Sequence, residues 1–223
     1  MDFRWDLMWK ILPSHLEGAI VTVKLTAFSV FMGIILGTLL GMGRLSQKRI
    51  VSRLSGAYVD FFRGTPLLVQ IFVVYMGLPQ LGLRLSNWAA ALTALSLNSG
   101  AYVAEIVRSG IQSIDKGQVE AARSLGMTGS QTMQYIVLPQ AFRRIIPPLG
   151  NEFIALLKDS SLVAVISLEE LLRKGQINVT RFYRPFEIYI QIAIIYLIMT
   201  KSISFLVNRL ERRMKLDEQR LAS

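Results

Sequence analysis

The sequence contains no cysteine. Disulfides and thiolate metal sites are excluded, and the redox state of the compartment leaves no mark. Histidine occurs once, as His15; a lone imidazole cannot assemble a metal site by itself, and the residue is expected on the surface near a membrane boundary. Charge is scarce, with 18% Asp, Glu, Lys and Arg against about 25% in soluble domains. No Gly-x-x-x-x-Gly-Lys-Ser/Thr phosphate cradle occurs anywhere in the chain. There is no His cluster and no Ser/His/Asp grouping at helical spacing, which argues against a membrane enzyme. No cleavable leader is expected, because Asp2, Arg4 and Asp6 interleave with Trp5 and Trp9 well ahead of the first long apolar run. Internal repeats, low-complexity tracts and interdomain linkers are absent, so 223 residues read as one domain.

What is present is apolar and basic. Hydrophobic residues make up 52% of the chain, and the formal net charge is +10. Nucleic-acid binders are not usually apolar over membrane-length runs, so the pairing indicates a membrane protein with cationic cytoplasmic loops and no nucleic-acid partner. A spanning helix needs roughly 20 apolar residues, and the pattern predicts five: about 20–45, 60–83, 86–111, 148–170 and 186–208. The last two contain charges, Glu152, Lys158 and Asp159 in one and Glu187 and Lys201 in the other. The fourth could instead be a broken or re-entrant segment, tolerated only where protein or water surrounds it. Lys and Arg concentrate after spans one, three and five, in Arg44, Lys48, Arg49 and Arg53, in Lys116, Arg123, Arg143 and Arg144, and in Arg209 to Lys215. This places the C-terminus in the cytoplasm, the N-terminus outside, and the last cluster on anionic headgroups. The basic stretch 171–185 fits this orientation less well. Trp5, Trp9 and Trp88 suit interfacial anchoring, and Gly33, Gly37 and Gly41 form a small-residue ridge for close helix packing.

The connection 112–147 is long and polar. It reads as two short cytoplasmic helices, the first over 117–125, stopped by Gly126 because glycine adopts left-handed angles without steric cost. Thr128 or Ser130 can cap the second, which is expected to end before Pro139. The bland reading is a pair of interfacial helices lying on the bilayer without a partner.

The pattern Glu120-Ala121-Ala122, Gly126, Ile136, Leu138-Pro139 resembles the EAA loop of binding-protein-dependent ABC importer permeases, and its spacing is met without insertion. Arg63-Gly64-Thr65-Pro66-Leu67-Leu68-Val69-Gln70, Asn98-Ser99-Gly100-Ala101-Tyr102-Val103-Ala104-Glu105 and Gly150-Asn151-Glu152-Phe153 are similar to segments of the histidine, arginine and glutamine permeases. The resemblance extends over nearly the whole chain. It implies an all-α type I ABC importer transmembrane domain in a bacterial plasma membrane. A second permease subunit, identical or related, two ATPase subunits carrying ATP and Mg, an extracytoplasmic solute-binding protein and an amino acid substrate complete the implied system. It further implies that Glu120, Ala121, Ala122, Arg123, Gly126 and Met127 dock on the ATPase, and that this chain holds no cofactor and is not itself an enzyme. Gly100 departs from the pattern, where a second serine is expected.

Ionisable groups at membrane depth cost at least ~2.5–3.5 kcal/mol on insertion scales. A zwitterionic solute needs acceptors for its ammonium and donors for its carboxylate, and Asn98, Ser99, Tyr102, Glu152 and Ser160, with Ser161, are the candidates. Resemblance favours Asn98 and Glu152, since that family places its pocket between these spans. The bland alternatives are that Asn98 bonds across helices, that Glu105 pairs with Arg108 on one helical face, and that Lys158 and Asp159 pair with another helix or a dimer mate. Three rivals to the importer remain: a secondary carrier or channel needing no ATPase, a membrane enzyme, and a membrane anchor or scaffold.

Overall fold

The computed structural model describes residues 3–222, with side chains through Arg213. Among the described residues every element is helical. α1 (Trp5–Arg44) is 40 residues long, roughly 60 Å at 1.5 Å per residue. Its small-residue ridge meets α4 (Asn87–Gln112): Gly33 lies against Ser99, Gly37 against Gly100 and Val103, and Gly41 against Ala104 and Val107. The contacts advance in the same order along both helices, so they run parallel. Gly100 is part of this seam, since a Cβ there would come 2.9 Å from Leu36 Cδ2. A serine there would have to push the Leu36 side chain aside.

Between them the chain makes a broken excursion. α2 (Arg49–Gly64) is followed by α3 (Leu67–Phe72), a π-turn over Val73–Gly77 and a 3-10 turn over Leu78–Leu81. The axes of Arg49–Gly64 and Leu67–Leu81 differ by 105°. Pro66 causes the break by forcing Thr65 into extended backbone (φ −118°, ψ 147°). The run 60–83 therefore straddles an elbow. It ends at Gly82, at φ +87°.

α5 (Lys116–Ser124) and α6 (Gly129–Thr132) form the polar connection. Contrary to expectation, the second helix does not stop before Pro139. It passes through a π-turn at Met133–Val137 into α7 (Leu138–Asp159), with proline in the first turn of α7. Widening the hydrogen-bond register there tolerates the missing N–H that would end a regular helix. α7 continues as a 3-10 turn, Ser160–Ile166, closed by Ser167 at φ +61°, so the fourth apolar segment is broken at its far end. α8 (Leu171–Phe182) and α9 (Pro185–Ala222) complete the chain.

Among the described residues three helices are long and apolar enough to cross a membrane, Trp5–Arg44, Asn87–Gln112 and Pro185–Arg213, and the bent pair adds a fourth if it is counted as one span. α7 differs from these by charge, carrying Arg143, Arg144, Glu152, Lys158 and Asp159. Three buried clusters hold the bundle. Leu25, Ile71, Leu95, Leu156 and Val163 join α1, α3, α4 and α7 with its 3-10 extension. Leu7, Ile11, Leu171, Ile188 and Ile192 join α1, α8 and α9. Val103, Val107, Val137, Ala141 and Ile145 join α4 to α7 and its π-turn.

His15 is not a surface residue: it is fully buried. Its Nδ1–H donates to Gln191 Oε1 at 2.9 Å and its Nε2 accepts from Asn178 Nδ2 at 3.1 Å, while Gln191 Nε2 donates to Met8 O at 2.9 Å. The imidazole is buried because every polar atom has a partner, and those partners come from helices distant in sequence.

Candidate functional site

Two regions concentrate the predicted residues. The first is the α5–α6 hairpin. Asp115 opens α5 by accepting the Gly117 N–H at 2.7 Å. At its other end the Gly126 N–H donates to Arg123 O at 3.0 Å and the Met127 N–H to Ala122 O at 3.1 Å, with Gly126 at φ +83°. This is a Schellman closure, and it requires the left-handed glycine. Arg123 reinforces it by donating to Met127 O at 2.7 Å. Thr128, rather than Ser130, caps α6 in a reciprocal capping box with Gln131. Ala122 is the buried anchor, whereas Glu120, Ala121 and Arg123 are exposed and Met127 is half-buried.

The hairpin is tied to the helices behind it. Gln140 donates to Gln118 at 3.0 Å, and Arg144 bonds the Ser113 carbonyl. A cavity of about 520 Å³ lies between α5 and the α6 helix, with Ile114, Val119, Thr132 and Val137 in its wall. The result is a stiff element presenting one acid and one small residue to the outside.

The second region lies among α1, α4 and α7, where the solute candidates are dispersed. Asn98 is buried and donates Nδ2 to Gln70 Oε1 at 3.0 Å and to Phe62 O at 3.4 Å. Gln70 Nε2 in turn donates to Phe62 O at 2.8 Å, Thr65 O at 3.1 Å and Thr65 Oγ1 at 2.9 Å. Asn98 and Gln70 thus satisfy carbonyls that the Pro66 break strands, which is the cross-helix bonding weighed for Asn98. Tyr102 lies one turn on, its ring 5.3 Å beneath the Arg63 guanidinium. Ser160 is fully buried and donates to Leu157 O at 2.8 Å.

Ser99 and Glu152 are the two candidates that come together. The half-buried Glu152 carboxyl approaches the Ser99 hydroxyl without closing a hydrogen bond, and Ser99 Oγ is buried with no partner. Lys158 and Asp159 are exposed, and among the described residues neither forms a salt bridge within the chain. Glu105 does pair with Arg108, at 3.1 Å from Nε, and also takes Arg44 at 2.7 Å and Arg63 at 4.0 Å. One carboxylate therefore gathers three arginines from α1, α2 and α4.

A family model described as "Binding-protein-dependent transport system inner membrane component" matches residues 29–216. The chain belongs to this family. As an inner membrane component it is 39% identical to the glutamine transport system permease protein GlnP of Escherichia coli K12, covering 97% of this chain and 100% of that one. It is 41% identical to the arginine transport system permease protein ArtQ of Bacillus subtilis 168, covering 92% and 94%. A solved structure of an amino acid ABC transporter with histidines aligns at 44% identity and TM-score 0.92, over 96% of this chain and 100% of that chain. The fold is that of a type I ABC importer permease.

Gln70 is one residue of this inner membrane component that sequence reasoning overlooks. It stands inside a quoted segment, and an amide within an otherwise uncharged run is a signal that could have found it. Glu170 was also missed. It is completely buried and accepts from the N–H groups of Leu172 at 2.9 Å and Arg173 at 2.7 Å as the N-cap of α8.

Proposed function

We propose that this chain is the permease subunit of an ATP-driven importer for a polar amino acid, working by alternating access with force supplied by a separate ATPase. ATP and Mg bind on that partner, and the chain itself catalyses no reaction. The hairpin Lys116–Met127 is the lever, with Glu120 as the charged contact and Ala121 as the point of close approach. The N-terminus lies outside and the C-terminus in the cytoplasm, with five spans: α1, α2–α3, α4, α7 and α9. A second permease subunit, identical or related, and an extracytoplasmic solute-binding protein complete the assembly.

The single observation that carries this reading is the hairpin itself. Among the described residues the Glu120 carboxylate has no hydrogen bond or ion pair, on a helix closed by the Gly126 and Met127 N–H bonds. A side chain exposed on so stiff a mount suits transmission of motion between bodies. The names of the relatives support the amino acid class without deciding which amino acid is carried.

Glu152 is the group proposed to receive the solute's ammonium, with Ser99 beside it as an orienting hydroxyl. Asn98, Tyr102 and Ser160 act on solute indirectly, through the shape of the helices they bond. The test is uptake by the reconstituted complex with ATP, measured for glutamine, arginine and histidine. Wild type should transport at least one of them, and Glu152→Gln should lower solute-stimulated ATPase and uptake together. Transport by this chain alone in an ion gradient would establish the carrier reading instead.

A further inference from the structure

The basic stretch around α8 belongs neither to the α5–α6 hairpin nor to the solute region. On the proposed orientation it lies outside, where Lys and Arg are sparse, yet Arg173, Lys174, Arg181 and Arg184 all fall there. Lys174 is neutralised by Glu169 at 2.9 Å and Glu17 at 3.8 Å, and Arg184 by Glu187 at 3.6 Å. Arg173 and Arg181 differ. Among the described residues neither forms a salt bridge: Arg173 bonds Gln176 at 3.2 Å, and Arg181 sits 5.3 Å over the Phe182 ring. With Gln176, Ile177 and Thr180 they line a groove of about 380 Å³ along one helix face.

The opposite face is fixed in place. Glu170 caps the helix while accepting hydroxyls from Tyr196 at 3.0 Å and Thr22 at 3.4 Å. Asn178 bonds His15, and Gly175 admits Ile192 so closely that a Cβ would come 2.0 Å from Ile192 Cδ1. α8 is therefore a rigid platform joined to α1 and α9.

A second, independent observation is Tyr183. It ends α8 in the left-handed region at φ +53°, where its N–H donates to Val179 O at 2.9 Å. Helices place glycine there because a side chain is strained. Here the position holds a tyrosine that is 82% exposed, between Arg181 and Arg184. Strain kept for an exposed aromatic points to a use for the side chain.

We propose that Arg173, Gln176, Ile177, Thr180, Arg181 and Tyr183 form the docking surface for an acidic patch on the extracytoplasmic solute-binding protein. The proposal rests on the function and orientation given above. Two guanidinium groups without carboxylates call for carboxylates on the partner, and Tyr with Arg is the composition of binding hot spots. Because α8 is already ordered, little conformational freedom is lost on docking. Load placed on it passes directly into α1, whose other half is seamed to α4.

The test titrates ATPase activity of the complete reconstituted complex with the solute-binding protein that stimulates wild type. R173Q/R181Q should raise the half-saturating concentration about tenfold or more with the maximal rate kept, and should flatten its dependence on salt. Y183G relieves the strained backbone, so thermal stability should hold or rise while half-saturation rises. Wild-type titration curves for both variants would overturn the proposal. So would a defect that tracks the anionic phospholipid content of the vesicles rather than the binding protein, which would assign the face to the membrane. If no solute-binding protein stimulates the wild-type complex, the proposed function fails first and this inference with it.

Discussion

Gly126→Val separates the mechanics of the hairpin from the stability of the bundle. Gly126 sits at φ +83° with no atom within 4 Å of the place a Cβ would occupy, so a larger side chain meets no clash. The cost is conformational, about 1–2 kcal/mol for an L-residue held in the left-handed region. That reduces the population of the closed turn by a factor of roughly 5–30, while none of the three buried clusters includes Gly126. The expected phenotype is therefore uncoupling. The complex should assemble and its unfolding midpoint change little, but solute transported per ATP hydrolysed should fall several-fold. Gly126→Asn should retain most coupling, since asparagine tolerates this backbone region. The assay is paired measurement of uptake and phosphate release in proteoliposomes. A Gly126→Val complex that transports as many molecules per ATP as wild type would refute the reasoning.

Two further substitutions examine the scaffold. At Gly37 a Cβ would stand 2.6 Å from Val103 Cβ and 2.7 Å from Gly100 O, so Gly37→Ala must pry α1 from α4 at a cost of about 1–3 kcal/mol. Gly56, with nothing within 4 Å, is the control, where alanine should be neutral or stabilising by up to ~1 kcal/mol; detergent-unfolding curves would contradict the parallel seam if the two behaved alike. Gln70→Leu strands the Thr65 carbonyl, leaves Phe62 O only the 3.4 Å bond from Asn98 and removes the Asn98 acceptor, so it should destabilise by about 1–3 kcal/mol, with proteolysis near the elbow as the readout. Unchanged cleavage would mean that Gln70 does not hold the break.

Some features were legible because their causes are local. Gly126 stops a helix and Thr128 starts one through bonds to residues within five positions, and the Glu105–Arg108 pair needs only helical spacing. The continuation through Pro139 was not legible, because a π-turn is chosen by how α7 packs on α4 through Val137, Ala141 and Ile145. His15 looked like a surface group because Asn178 and Gln191, which bury it, lie far along the chain. The solute candidates show the same limit. Asn98, Ser99 and Tyr102 are close in sequence but point to different neighbours: Asn98 to the elbow, Ser99 to Gly33 and Glu152, and Tyr102 to Arg63. Spacing identified polar residues at depth, while only the packing of α2, α3 and α7 around α4 shows which of them meet.

The most direct measurement exploits the absence of cysteine. With Glu120→Cys as the sole thiol in the chain, a short bifunctional cross-linker applied to the intact complex should join this chain to the ATP-hydrolysing subunit, and a membrane-impermeant thiol reagent added from outside sealed cells should leave it unlabelled. Labelling from outside, or no adduct with the ATPase in a complex that still transports, would contradict the account.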